Sequence, residues 1–191
     1  MKKVVAAMNM TLDGICDHTA GIPDEAMHQH YAELLNDADV ALYGRITYQL
    51  MEYWRPFVKE PTGEQSMDDF AVAIDRIPKI VFSHTLKHVD WETASLADQE
   101  IEQVVSTLKQ SGNGNNKNIL VCSPSLIVAL TKLRLIDEYQ LCVHPVIAGD
   151  GLPLFKNIHE RMVLTLLKTK TFDSGGVILY YKPIKESGTY A

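Results

Sequence analysis

The sequence predicts an α/β fold of three layers: a mixed, mostly parallel central sheet with helices on both faces and an antiparallel edge at the C-terminal end. Three observations predict it. Short apolar runs alternate with amphipathic segments over the first two-thirds of the chain, the pattern of parallel strands joined by crossover helices. The last third carries two runs of strand composition, 161–171 and 176–182, with no helix between them. Most of the apolar runs end in a polar or glycine-containing loop, which places those loops along one edge of the sheet.

Residues 4–8 form a buried first strand, followed by a polar loop over 9–23. Asp24 caps a helix running to about residue 36, with Ala26, Met27, Tyr31, Leu34 and Leu35 on its apolar face. Residues 38–43 are the second strand, and a helix over 45–52 carries Tyr48 and Met51 inward. The stretch 54–63 contains two prolines and reads as loop. Phe70, Ala73 and Ile74 are spaced for one face of a helix over 66–76, and Pro78 introduces a strand at 79–82. A polar stretch around Trp91 leads to a helix over 98–110, with Ile101, Val104, Val105 and Leu108 inward. The Gly/Asn-rich turn at 111–118 is too short for a domain linker, so residues 1–191 are expected to form a single domain. A strand at 119–122, a helix at 125–133 and a strand at 138–147 interrupted by Pro145 complete the alternating part.

Bulk properties narrow the function. The formal net charge of −6 disfavours nucleic acid and anionic membrane surfaces, so an anionic ligand must be held by local cations. No apolar run approaches the ~20 residues of a membrane span, and the N-terminal apolar stretch is too short for a signal peptide. The three cysteines, Cys16, Cys122 and Cys142, lack paired spacing, which points to a reducing cytoplasm and to neither disulfide framework nor metal site. His28 and His30 lie two apart on a predicted helix and point to different faces, which argues against a shared metal.

The most informative stretch is Gly44-Arg45-Ile46-Thr47-Tyr48, directly after the second strand. A strand ends in a glycine turn that opens into a helix beginning with a cation and a hydroxyl, an arrangement suited to phosphate. Four other loops share its edge: residues 9–14, 83–86, 123–125 and 148–152. Their convergence predicts a ligand site.

Several motifs on these loops resemble the dihydrofolate-reductase-like fold, and within it the RibD C-terminal-domain family, the reductase domain of the riboflavin-pathway deaminase–reductase. They are residues 10–14 (MTLDG), 44–48 (GRITY), 79–86 (KIVFSHTL) and 135–139 (LIDEY) followed by 144–155 (HPVIAGDGLPLF). The resemblance spans essentially the whole chain. It implies a homodimeric, NADPH-dependent reductase of a small heterocyclic substrate. Carried over, Gly44, Arg45 and Thr47 would meet the cofactor phosphates, with Ser123 and Ser125 beside them. Ser83, His84 and Thr85 would lie near the adenosine 2′-phosphate, and Gly149, Asp150 and Gly151 would border nicotinamide and pyrophosphate. Asn9, Thr11 and Asp13 would border the substrate, with Asp13 the candidate to position a water or proton.

The chain departs from the family at Cys122-Ser123-Pro124-Ser125, which stands where a Gly-Gly pair brings backbone and pyrophosphate together. Proline lacks the N–H and β-carbons crowd the approach. A non-catalytic nucleotide- or ligand-binding protein is therefore the alternative, and flavin binding in the same cleft a third option. Neither H-x-E nor P-C-x-x-C occurs, which excludes zinc deamination. His144 reads as structural, and Tyr48, Met51, Tyr53 and Trp54 as packing residues.

Overall fold

The computed structural model describes residues 2–111 and 117–184. Eight strands form one sheet: β1 (Val4–Thr11), β2 (Ala38–Gly44), β3 (Lys79–Phe82), β4 (Ala94–Leu96), β5 (Asn118–Val121), β6 (Glu138–His144), β7 (Leu164–Thr171) and β8 (Val177–Pro183). Their order is β4-β3-β2-β5-β1-β6-β8-β7. The first six are parallel, and β8 and β7 add the antiparallel edge expected from composition.

The parallel strands are apolar throughout because helices cover both faces. Ile119, Leu120 and Val121 of β5 are fully buried, each side chain contributing roughly 1.5–3 kcal/mol by leaving water. On one face lie α1 (Glu25–Asn36), α2 (Arg45–Met51) and α3 (Gln65–Arg76), whose Ala32, Leu35, Tyr48, Ala73 and Ile74 pack with Tyr43 and Val81. On the other lie α4 (Ile101–Gln110) and α5 (Pro124–Lys132), whose Val105, Ile127 and Leu130 pack with Val4, Ala6 and Val121. Asp24 caps α1 by accepting from the Met27 N–H at 2.8 Å; its other oxygen accepts from the Ser174 N–H at 2.9 Å, tying the β7–β8 turn to the helix.

Three element predictions need correction. The first strand does not stop at Met8: it continues to Thr11 because β6 keeps pairing with it, Asn9 opposite Cys142 and Thr11 opposite His144. The predicted loop at 54–63 begins inside a 3₁₀ helix, Glu52–Val58, which accommodates Pro56 and whose Trp54 packs edge-on against Phe70 of α3. The polar stretch near Trp91 conceals β4, a three-residue edge strand with no apolar run to announce it. Trp91 itself is buried, its indole N–H donating to Asp75 at 2.7 Å. The predicted turn at 111–118 lies, apart from its ends, outside the described residues. Among the described residues no helix is long and apolar enough to cross a membrane.

Candidate functional site

Strand order creates the site. From β1 the chain crosses over one face to β2, and from β5 it crosses over the other face to β6, so the neighbours β1 and β5 send their connections in opposite directions. Such a switch point opens a crevice beyond the carboxyl ends of the strands. Its depth comes from unequal lengths: β5 stops at Val121, opposite Ala6, whereas β1 runs on to Thr11 with a partner only on its β6 side.

One bank is made by the ends of β3, β2 and β5. Pairing of Gly44 with Phe82 sets Ser83 next to the Gly44 turn. On its other side the Gly44 N–H donates to Ser123 Oγ at 2.7 Å, and a β-carbon on Gly44 would lie 3.3 Å from Ser125 Oγ. The structure thus brings Gly44, Ser123 and Ser125 into contact, with Gly44 small enough to let the start of α5 approach. Ser123 is 1% exposed and spends its hydroxyl on β2, so it starts α5 by backbone conformation alone, with Pro124 in the first turn. Arg45 is exposed, bonded at 3.2 Å to Gln49 on its own helix, and Thr47 is half-buried beside it. Ser83 Oγ accepts from the Thr85 and Leu86 N–H groups, which shapes a tight turn and leaves His84 and Thr85 exposed.

The other bank knits the loop after β1 to the loop after β6. Leu12 N–H donates to Val146 C=O, Cys16 N–H to Leu152 C=O, and Leu154 N–H to Gly14 C=O. Asp13 is the clamp: its carboxylate accepts from Thr11 Oγ1 at 2.6 Å, Gly149 N–H at 2.8 Å and Ala148 N–H at 3.1 Å. These bonds, the Thr11 hydroxyl first, hold its pKa down at about 2. Thr11 is buried and serves this loop from within. Gly149 turns with φ 77°, and Gly151 adopts φ 139° where a β-carbon would meet Ile15 Cγ2 at 2.4 Å. Asp150, between them, is exposed.

At the β1 side of the crevice, exposed Asn9 receives Tyr31 Oη at 2.8 Å, and His144 Nε2 lies 3.3 Å from the same oxygen. His28, one turn before Tyr31 on α1, packs edge-on against Trp54, which contacts Tyr53. The Asn9–Tyr31–His144 group was not visible as a unit in the sequence, since its members come from β1, α1 and β6. A separate hollow of about 380 Å³ at the opposite, amino ends of the strands contains Lys2 and Lys79. Both cations are already engaged, Lys2 by Asp39 and Lys79 by Thr93 with backbone carbonyls.

A family model, the RibD C-terminal domain, matches residues 2–178. The chain belongs to the RibD C-terminal domain family. It is 30% identical over 184 residues to the uncharacterized protein YyaP of Bacillus subtilis (strain 168), covering 94% of each chain. Among solved structures, a Shewanella sp. PV-4 protein named for riboflavin biosynthesis superposes with TM-score 0.70 at 17% identity, over 96% of this chain and 99% of that one. A pyrimidine reductase-like protein of Corynebacterium diphtheriae gives 0.63 at 13% identity, over 97% and 93%. The Thermotoga maritima deaminase/reductase, a diaminohydroxyphosphoribosylaminopyrimidine deaminase/5-amino-6-(5-phosphoribosylamino)uracil reductase, gives 0.65 at 18% identity; this chain matches 57% of its length. At such identities these structures establish the fold, which is that of the RibD reductases.

Within the RibD C-terminal domain frame, this chain places an exposed cation and hydroxyls on one bank of the crevice and a glycine-turned loop on the other. That is a reductase-like architecture.

Proposed function

We propose that the protein is an NADPH-dependent reductase of a small heterocyclic substrate (a pterin, pyrimidine or riboflavin precursor), acting as a cytoplasmic enzyme. The observation that carries this reading is the crevice between β1 and β5, with Arg45 on one bank and the loop at 149–151 on the other. The residues present fit a dinucleotide at several points. Arg45, Thr47 and Ser125 supply a cation and hydroxyls for its phosphates, with His84 and Thr85 beyond them for a 2′-phosphate. Gly149, where a β-carbon would meet nothing within 4 Å, leaves the loop open for a ligand to approach. When bound, NADPH supplies the hydride. The chain's own residues then orient the partners and exclude water. Asp13 is ionised at neutral pH, so it acts as an acceptor that holds the loop and is unsuited to donating a proton.

One observation favours the non-catalytic alternative. Backbone N–H groups that could meet a pyrophosphate are already taken, Gly44 by Ser123 and residues 148 and 149 by Asp13, and Pro124 has none. Titrating NADPH fluorescence against the purified protein separates the two. Saturation at micromolar concentration, with the Kd raised about tenfold (about 1.4 kcal/mol) by Arg45→Ala, supports the enzyme. No binding up to millimolar concentration supports the alternative.

Homodimerisation is proposed with the same reading. Exposed Val163, Leu166, Leu167 and Ile184 on and beside β7 and β8 give a second copy an apolar surface, and light scattering of the purified chain reads its mass.

A further inference from the structure

We infer that Asn9 determines which edge of the substrate is accepted: its side-chain NH2 is held facing the crevice as a hydrogen-bond donor, and it selects a ring edge bearing an oxo group over one bearing an amino group. The inference rests on the reductase reading for the identity of the site, and its chemistry comes from three hydrogen bonds that link Ile22, His144, Asn9 and Tyr31.

The Ile22 backbone N–H donates to His144 Nδ1 at 3.1 Å, so that nitrogen is an acceptor and carries no proton. The ring is 2% exposed, and burial lowers its pKa, which keeps it neutral. A neutral imidazole without a proton on Nδ1 has one on Nε2. Nε2–H therefore donates to Asn9 Oδ1, 3.3 Å away. Gly21 packs on the same ring, where a β-carbon would sit 3.4 Å from Nε2, so the imidazole is held in place. Tyr31 Oη, 2.8 Å from Oδ1, supplies the second donor.

Two donors now converge on one oxygen. Exchanging the oxygen and nitrogen of the Asn9 carboxamide would set its NH2 against Nε2–H, donor against donor. The amide is fixed the other way round. Every hydrogen bond the described residues make to this side chain goes to Oδ1, so both hydrogens of Nδ2 remain for a ligand. Asn9 is exposed, and it stands on the part of β1 that has no strand neighbour on the β5 side, which is the crevice itself. An NH2 only donates. A carbonyl oxygen satisfies it, whereas an amino group in the same place leaves donors opposed and unpaired.

Uracil and cytosine share the 2-oxo group and differ along the N3–C4 edge, N3–H with a 4-oxo group against bare N3 with a 4-amino group, which makes them the probes. Binding is followed in the ¹H–¹⁵N spectrum of the labelled protein without cofactor. The wild type is expected to bind uracil about tenfold more tightly than cytosine, with the Asn9 side-chain NH2 resonances shifting as uracil saturates. Asn9→Asp keeps an acceptor for Tyr31 and His144 but turns the crevice-facing donor into an acceptor, so the preference should reverse. An unchanged preference in Asn9→Asp, no preference in the wild type, or no binding of either base up to its solubility overturns the inference. The wild-type resonances test it without any variant: if NADPH moves them and uracil does not, the acceptor belongs to the cofactor and the substrate assignment fails. If NADPH does not bind but the base preference reverses in Asn9→Asp, the reductase reading fails and the edge selection stands.

Discussion

Gly151→Ala is expected to destabilise the protein by about 2–4 kcal/mol, which lowers the melting temperature by roughly 5–10 °C for a chain of this size. Two causes add. The backbone at Gly151 has φ 139°, a region that residues with a β-carbon rarely occupy. The added carbon would also lie 2.4 Å from Ile15 Cγ2, well inside van der Waals contact. Ile15 is 5% exposed and pairs with Pro153 across the two loops, so it has little room to retreat. Circular dichroism melts of Gly151→Ala, Ile15→Ala and the double variant separate the causes. Shortening Ile15 relieves the overlap but not the backbone strain, so the double variant should be more stable than the sum of the single losses implies. A wild-type melting curve for Gly151→Ala would show that the two loops do not approach this closely.

Asp13→Asn is expected to lower turnover of the physiological substrate by about tenfold or more while leaving the fold intact, because the variant loosens one bank of the crevice. A carboxylate can accept from Thr11 Oγ1, Ala148 N–H and Gly149 N–H together. A carboxamide keeps one oxygen and turns an NH2 toward a donor. Hydrogen exchange of the Ala148 and Gly149 amides should quicken in the variant, a direct reading of the clamp that needs no substrate. An undiminished rate with the real substrate removes Asp13 from the mechanism. The pH dependence has a definite sign. Asp13 titrates at about 2 in the folded protein and near 3.8 as an unperturbed group, so the clamp's stabilising contribution is complete above 3.8. It fades as pH falls from there through about 2. Across the neutral range the bank should hold without change.

Much of the fold is legible in the sequence, because burial on both faces writes a parallel strand as an apolar run. Residues 38–43, 79–82 and 119–122 needed no other signal. The two misread strands share a cause. β1 carries polar Asn9 and Thr11 because its last residues pair on one side only and border a crevice, so no apolar run marks them. β4 is three residues at the sheet edge, half-exposed, and it reads as loop for the same reason.

The site is legible as a set of loops and illegible as a set of bonds. Glycines at 44, 149 and 151 announce turns or close approaches, and the strand–turn–helix order places Arg45 on the rim. Nothing local shows that Ser123 would spend its hydroxyl on Gly44, 79 residues away, or that Asp13 would clamp an amide 136 residues away. Tyr31 fits an apolar helix face by spacing, yet its hydroxyl reaches across to Asn9.

By itself the sequence determined the alternation of strands and helices, the antiparallel edge, and which loops end on the carboxyl side of the sheet, since these follow from side-chain periodicity and backbone sterics acting over a few residues. Only the tertiary structure decided which polar groups are already satisfied by one another and which remain free for a ligand. That division depends on hydrogen bonds between segments far apart in the chain, whose partners are set by strand order and register.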